Sequence, residues 1–330
     1  MTTVLRLTPD RPEPDVIAGA AECLRRGGLV AFPTETVYGL GVAALDRAAV
    51  RRLFAAKGRP ADDPLIVHIA SAENLPPLVA SRPHVVDVLA ARFWPGPLTL
   101  VLRRSALVPD EVTAGLDTVA VRVPAHPVAH ALLAAAGIPV AAPSANLFSR
   151  PSPTQAAHVL QDLDGRIDLV LDGGPTRVGV ESTVLDLSRD VPEVLRPGAV
   201  TLDILRPLLP DVRLRAAVEA PGPQRSPGLL ARHYSPRAPL TLYEGAPERV
   251  LERIRQDVAA AQAAGRRVGL LVPDDDAAVM ATRLYAALRE LDAAGVDEIF
   301  ARLPPASGGL SEAVTDRLRR AAAGRIVRCP

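Results

Sequence analysis

Short apolar runs alternate with helically spaced segments through the first two thirds of this chain, and few folds accept that rhythm. Residues 29–32, 65–69, 98–102, 119–123, 140–142 and 169–171 are apolar runs of strand length, which reads as buried strands. Residues 16–26, 48–56, 85–93, 128–136 and 154–160 repeat their apolar side chains at helical spacing. The alternation predicts an α/β domain built on a parallel or mixed sheet. Two further runs, 182–187 and 193–196, have no helix between them, so part of the sheet is expected to be antiparallel. The rhythm stops over residues 210–240, where six prolines fall (Pro210, Pro221, Pro223, Pro227, Pro236 and Pro239). Such a stretch predicts an extended linker. Beyond it, strands near 240–243, 268–272, 298–300 and 326–328 alternate with helices near 247–264, 277–294 and 310–323. That is the pattern of a small, doubly wound three-layer domain. A length of 330 residues exceeds one typical domain. The expected division is therefore 1–209, a linker over 210–240, and 241–330.

Composition narrows the function classes. Aromatic residues make up only 3% of the chain, so the core must be aliphatic. The formal net charge is +1. Residues 1–210 carry 20 Lys and Arg against 22 Asp and Glu, residues 241–330 carry 13 of each sign, and only 211–240 is basic, with five Arg against two acids. This argues against a broad basic face for nucleic acid. Two distant cysteines, Cys23 and Cys329, suggest neither a disulfide framework nor a zinc site. No leader pattern opens the chain and no apolar run reaches about 18 residues, so a cytoplasmic protein without membrane attachment is expected.

Lys57 is the one lysine among 38 basic residues. A lysine is a compact, strongly hydrated point charge, whereas arginine is a planar fork. A site needing one small cation, for instance between phosphate oxygens, would keep a lysine where the rest have become arginine. Lys57-Gly58-Arg59-Pro60 reads as a loop-like turn carrying two cations. The usual nucleotide and hydrolase signatures are absent. What remains is a set of polar turns beside strands, where open α/β sheets bind ligands. Thr34 and Thr36 follow the first strand. His68 interrupts an apolar strand and is more often a core residue than a ligand. Arg122 lies inside another strand and needs an anionic partner, either a carboxylate of the fold or one of a ligand. Ser144 and Asn146 end a third strand, and Ser152, Ser182 and Arg196 stand in further turns. Cations, hydroxyls and an amide without a nucleophile suit the binding of phosphate and carboxylate groups.

These turns, in this order, closely resemble the YrdC-like family of threonylcarbamoyl-AMP synthases. The residues that carry the likeness are Pro33-Thr34-Glu35-Thr36-Val37-Tyr38-Gly39-Leu40-Gly41, Lys57-Gly58-Arg59-Pro60, Pro64-Leu65-Ile66-Val67-His68, Phe93-Trp94-Pro95-Gly96-Pro97-Leu98-Thr99, Pro143-Ser144-Ala145-Asn146 and Glu181-Ser182-Thr183-Val184. They span about residues 16–206, and the linker and tail resemble the family's long form. The resemblance implies a twisted mixed sheet with helices around a large concave cavity, followed by a small Rossmann-like three-layer domain. It implies that L-threonine, bicarbonate and ATP, with Mg2+, give threonylcarbamoyl-adenylate and pyrophosphate. The product would feed the t6A modification of tRNA through separate transferase proteins, without stable tRNA binding by this chain. It puts Lys57, Arg59, Ser144 and Asn146 at the chemistry. It adds Asp63, Thr118, Ser152, Arg196 and Tyr234 around ATP, with the linker crossing the site. Thr34, Thr36, His68, Arg122, the Ala142 backbone and Ser182 are implied around threonine. Asp63 stands where other members often carry Asn, a substitution that would set a carboxylate against phosphate unless a metal bridges them. No protein side chain is implied as a metal ligand. An RNA-binding factor in translation or ribosome assembly is the rival reading, disfavoured by low charge and few aromatics.

Overall fold

The computed structural model describes residues 1–215, 224–226, 228, 233–272, 276–304 and 309–329. Residues 216–223, 227 and 229–232 of the expected linker lie outside the described residues, and so does any course they take over a site. The chain divides into two compact units: residues 1–148 with 152–229, and residues 149–151 with 230–330.

The first unit is an α/β fold. Its strands are β1 (Thr3–Arg6), β2 (Val30–Pro33), β3 (Tyr38–Ala43), β4 (Ile66–His68), β5 (Leu98–Arg103), β6 (Thr118–Arg122), β7 (Val140–Ala141), β8 (Leu169–Asp172), β9 (Thr183–Asp186), β10 (Glu193–Arg196) and β11 (Arg213–Leu214). Its helices are α1 (Pro14–Arg25), α2 (Arg47–Lys57), α3 (His84–Phe93), α4 (Asp110–Thr113), α5 (Pro127–Ala136), α6 (Ala156–Leu163) and α7 (Leu202–Leu205). All eleven strands join one mixed sheet, ordered β1-β8-β2-β3-β7-β4-β6-β5-β9-β10-β11. The expected antiparallel pair is β9 with β10. Two expectations need correction. Residues 33–41 read as a polar turn, yet Tyr38–Ala43 forms β3, antiparallel to β2. A Cβ at Gly41 would come within 2.8 Å of the Phe32 ring, so glycine is there for close packing, not for a turn. Lys57 is not in a loop: it ends α2, and Gly58 closes that helix in the left-handed conformation (φ 61°).

Burial divides the sheet into two faces. The main core holds Val67, Leu100, Val119, Val121 and Leu185 together with Val50, Leu53, Val86, Leu89, Val112 and Val159 from α2, α3, α4 and α6. A second core packs α1 and α5 on Val30, Phe32, Val140, Leu169 and Leu171. Between β4 and β10, among the described residues, the face opposite the main core carries a small apolar cluster of Ile66, Val101, Ala120, Val184 and Leu195.

The second unit contains β12 (Leu240–Gly245), α8 (Pro247–Ala263), β13 (Val268–Leu271), α9 (Ala277–Ala293), β14 (Glu298–Arg302), α10 (Leu310–Ala322) and β15 (Ile326–Cys329). Its four strands are parallel throughout. With the right-handed crossovers usual for parallel strands, the strand order puts α8 on one face and α9 with α10 on the other. The strand order is β13-β14-β12-β15, or 2-3-1-4 in chain order. The Rossmann arrangement expected here runs 3-2-1-4. The difference arises because α8 carries the chain two places from β12, and β14 then fills the gap.

Candidate active site

Period-two alternation puts the predicted side chains on one face. On β6, Thr118, Ala120 and Arg122 point opposite to Val119 and Val121, which are in the main core. Register then brings neighbours alongside: His68 pairs with Arg122 and Ile66 with Ala120. On β5, Leu100 pairs with Val121 and Val101 with Ala120, so Thr99 lies toward the Arg122 end. Thr118 and Arg122 are four residues apart, about 13 Å along the strand. The face thus has two polar ends with the small apolar cluster between them.

At the Arg122 end the guanidinium is held on three sides. Its Nε donates to the Gly96 carbonyl at 3.1 Å, Nη1 to Thr36 Oγ1 at 3.0 Å and Nη2 to Glu35 Oε1 at 2.6 Å. The anionic partner is therefore a carboxylate of the fold, Glu35. Glu35 Oε2 accepts the Ala125 N–H at 3.0 Å, which fixes the acid in turn. Thr34 donates to the Val37 carbonyl and lies 2.8 Å from the Thr36 hydroxyl. With its proton spent on Val37, Thr34 accepts from Thr36. His68 is buried, with Nδ1 at 3.3 Å from the Ile66 carbonyl. A carbonyl can only accept, so Nδ1 carries the proton and Nε2 is an acceptor. Burial, then the nearby Arg122 charge, push the His68 pKa down to about 3, so the ring is neutral. The Ala142 N–H donates to Ile66, which leaves only its carbonyl for a ligand. Ser182 Oγ lies 2.7 Å from Thr99 Oγ1 and accepts from Arg196 Nη2 at 3.2 Å. Arg196 was expected with ATP and Ser182 with threonine, yet the two are hydrogen-bonded to each other. Ser152 donates to Glu181 Oε1 at 2.5 Å, beside Ser182.

At the other end, Lys57 is buried and its Nζ donates to the Ser144 carbonyl at 2.6 Å and the Asn146 carbonyl at 2.5 Å. It is the main chain of that turn that grips the ammonium. The C-terminal end of α2 adds favourable dipole. Among the described residues Lys57 makes no ion pair, and burial first, then Arg59, hold its pKa well below the usual lysine value. Arg59 donates to the carbonyls of Asp63 at 3.2 Å and Pro64 at 2.8 Å. Its Nη2 also lies 2.9 Å from Asp63 Oδ2, off the direction of a hydrogen bond, so this contact is one of charge. Burial raises the Asp63 pKa while Arg59 and Lys57 oppose that rise. Asp63 therefore faces a guanidinium, which removes the expected clash with phosphate without a metal. Thr118 heads β6 at the level of Pro64, on the Arg59 side. Tyr234 lies in the second unit with φ 60°, its ring 5.5 Å from that of Tyr285 and beneath the Arg317 guanidinium.

Sequence reasoning missed Glu35 and Thr99, although both stand inside quoted motifs. Their signal was there: an acid flanked by two threonines, and a hydroxyl on the strand after the Trp-Pro turn. Among the described residues, no group of three or more His, Cys, Asp or Glu comes together as a metal would require. Nor is any helix long and apolar enough to cross a membrane.

Comparisons with known proteins cover the whole chain. Residues 22–198 match the Sua5–YciO–YrdC family model, described as Telomere recombination. Residues 200–323 match the model described as Threonylcarbamoyl-AMP synthase, C-terminal domain. The threonylcarbamoyl-AMP synthase of Pyrococcus abyssi is 45% identical over 341 residues, covering 99% of this chain and 100% of that one. That of Bacillus subtilis is 47% identical over 335 residues, 94% of each chain. The crystal structure of P. abyssi Sua5 complexed with L-threonine superposes with a TM-score of 0.95 at 44% identity, over 99% of both chains. E. coli YciO superposes with a TM-score of 0.54 at 28% identity, over 60% of this chain and 96% of that one.

Proposed function

Because the chain belongs to the family of threonylcarbamoyl-AMP synthases, we propose that it converts L-threonine, bicarbonate and ATP into threonylcarbamoyl-adenylate and pyrophosphate, as a nucleotidyltransferase. The observation that carries this reading is Lys57: a buried ammonium gripped by two carbonyls, without an ion-pair partner among the described residues. Among the described residues only the acids Asp63 and Asp162 act on it, neither in contact, and this cation suits a triphosphate. Arg59 lies beside it, and at the other end of the face Arg122, with His68, Thr36 and Ser182, offers its remaining N–H groups to a carboxylate. The spacing of the two ends suits an amino acid meeting the α-phosphorus of a nucleotide.

The threonine carboxylate lies against Arg122, and its hydroxyl against the Ser182 and His68 side. The amine captures the carbon of bicarbonate, forming the N–C bond with loss of water. An oxygen of the resulting carbamate attacks the α-phosphorus, and the bond to the β-phosphate breaks to release pyrophosphate. Lys57 supplies counter-charge to the phosphates and Arg59, balanced by Asp63, supplies N–H donors, with Thr118, Ser152 and Asn146 completing the nucleotide's surroundings. Positioning and charge are enough for this transfer. Mg2+ bound to the triphosphate would share its charge; Asp63, committed to Arg59, would be a poor ligand for it. The catalytic part is residues 1–209, whose site face belongs to a concave cavity. The 241–330 part is a three-layer α/β domain. The product goes to separate proteins that act on tRNA. The rival RNA-binding reading has no support among the comparisons.

Pyrophosphate release should require threonine and bicarbonate together. Lys57→Ala should abolish it while leaving the circular dichroism spectrum and threonine binding intact. Near-normal release by that variant would refute the phosphate role.

A further inference from the structure

Glu35 has no place in the reaction above, yet it is among the most thoroughly buried acids of the first unit. It and Arg122 lie 2.6 Å apart, with side chains 6% and 4% exposed. A guanidinium has five N–H groups. Three of those of Arg122 go to Gly96, Thr36 and Glu35, which leaves two for a ligand. Glu35 accepts one hydrogen bond on each oxygen, from Arg122 and from Ala125, so each oxygen keeps a second lone pair. The charges of this pair cancel each other, and the neighbouring His68 is neutral. Ser182 accepts from Arg196, and Glu181 beside it holds Ser152.

A buried lone guanidinium would draw in any small carboxylate, because an unpaired charge out of water is costly. Bicarbonate, a proposed substrate, is itself such an anion. A balanced pair behaves differently. A bare anion entering it loses its hydration and gains no net counter-charge. A zwitterion matches both partners, its carboxylate on the cation and its ammonium on the acid.

We infer that Glu35 is a specificity-determining residue: by balancing Arg122 it makes the amino-acid pocket electrically neutral, so the pocket takes a zwitterion in preference to carboxylic acids that lack the amine. The inference rests on the reading of this end of the site as a threonine pocket.

Titration calorimetry with L-threonine and with β-hydroxybutyrate, the same skeleton without the amine, tests it. Wild type should bind threonine and discriminate strongly against the amine-free acid. Glu35→Gln keeps the shape and removes the charge; it should bind β-hydroxybutyrate more tightly and cut the preference for threonine by about tenfold, the worth of one charged hydrogen bond. Glu35→Asp keeps the charge and should weaken both ligands while preserving their ratio. An unchanged ratio in Glu35→Gln overturns the inference. If that variant fails to fold, wild type decides: displacement of threonine by β-hydroxybutyrate at comparable affinity overturns the proposal, and failure to compete supports it. A wild-type protein that binds no threonine would instead overturn the pocket reading, and this inference with it.

Discussion

His68 illustrates how one buried side chain answers to its surroundings. Its ring is neutral because burial and Arg122 push its pKa down to about 3 from the ordinary 6.5. The unfolded chain protonates this histidine as pH falls through about 6.5, while the folded chain resists until about 3. Between those values the unfolded state binds more protons, so stability rises with pH, by up to about 1.4 kcal/mol per unit for this residue. His68→Gln should flatten the acid limb of a Tm-against-pH curve between pH 6.5 and 3; a limb as steep as wild type's would show that other groups set it. At this scale the sequence was a good guide to cations and a poor one to their partners. Lys57 stood out as the sole lysine. Arg122 was marked as needing an anion, but Glu35 lies 87 positions away and only the paired sheet brings them together.

The helix that delivers Lys57 shows what local chemistry does for a site. Asp46 caps α2, accepting from the Ala48 and Ala49 N–H groups at 2.9 and 3.1 Å. Gly58 ends it in a left-handed turn, so that Lys57 and Arg59 flank the cap. A Cβ on Gly58 would touch nothing within 4 Å, so Gly58→Ala is a backbone effect alone. It should cost about 1 kcal/mol and, by disturbing both cations, raise the KM for ATP more than that for threonine. Asp46→Ala should cost about 1 kcal/mol with both KM values unchanged. Equal effects of the two variants on ATP would separate the cap from the site. Periodicity gave most elements of the first unit, since buried strands and amphipathic helices announce themselves. It passed over β1, whose residues are mostly exposed, and β3, whose glycines look like turn residues. In the second unit it gave the parallel βα alternation but not the order of the strands, because side-chain pattern records which face is buried and not which neighbour is paired.

Taken whole, the molecule is close to electroneutral, with a net charge of +1. Affinity for nucleic acid is dominated by phosphate contacts and falls steeply with salt. A filter-binding measurement at physiological salt should therefore find tRNA held no more tightly than about micromolar; tight, salt-resistant retention would reopen the RNA-binding reading. Nor is any stretch of the chain a site by itself. In the sheet, β5 lies between β6 and β9, and β4 between β7 and β6. The Arg122 end draws on residues 34–36, 68, 99, 122 and 182, all ordered by strands far apart in sequence. During translation, a chain halted after residue 150 would already own Lys57, His68 and Arg122, yet β9 and β10, with Ser182 and Arg196, would not exist. Such a fragment should neither capture substrate nor consume ATP, so a ribosome that stalls midway leaves behind an inert stub and no half-working enzyme.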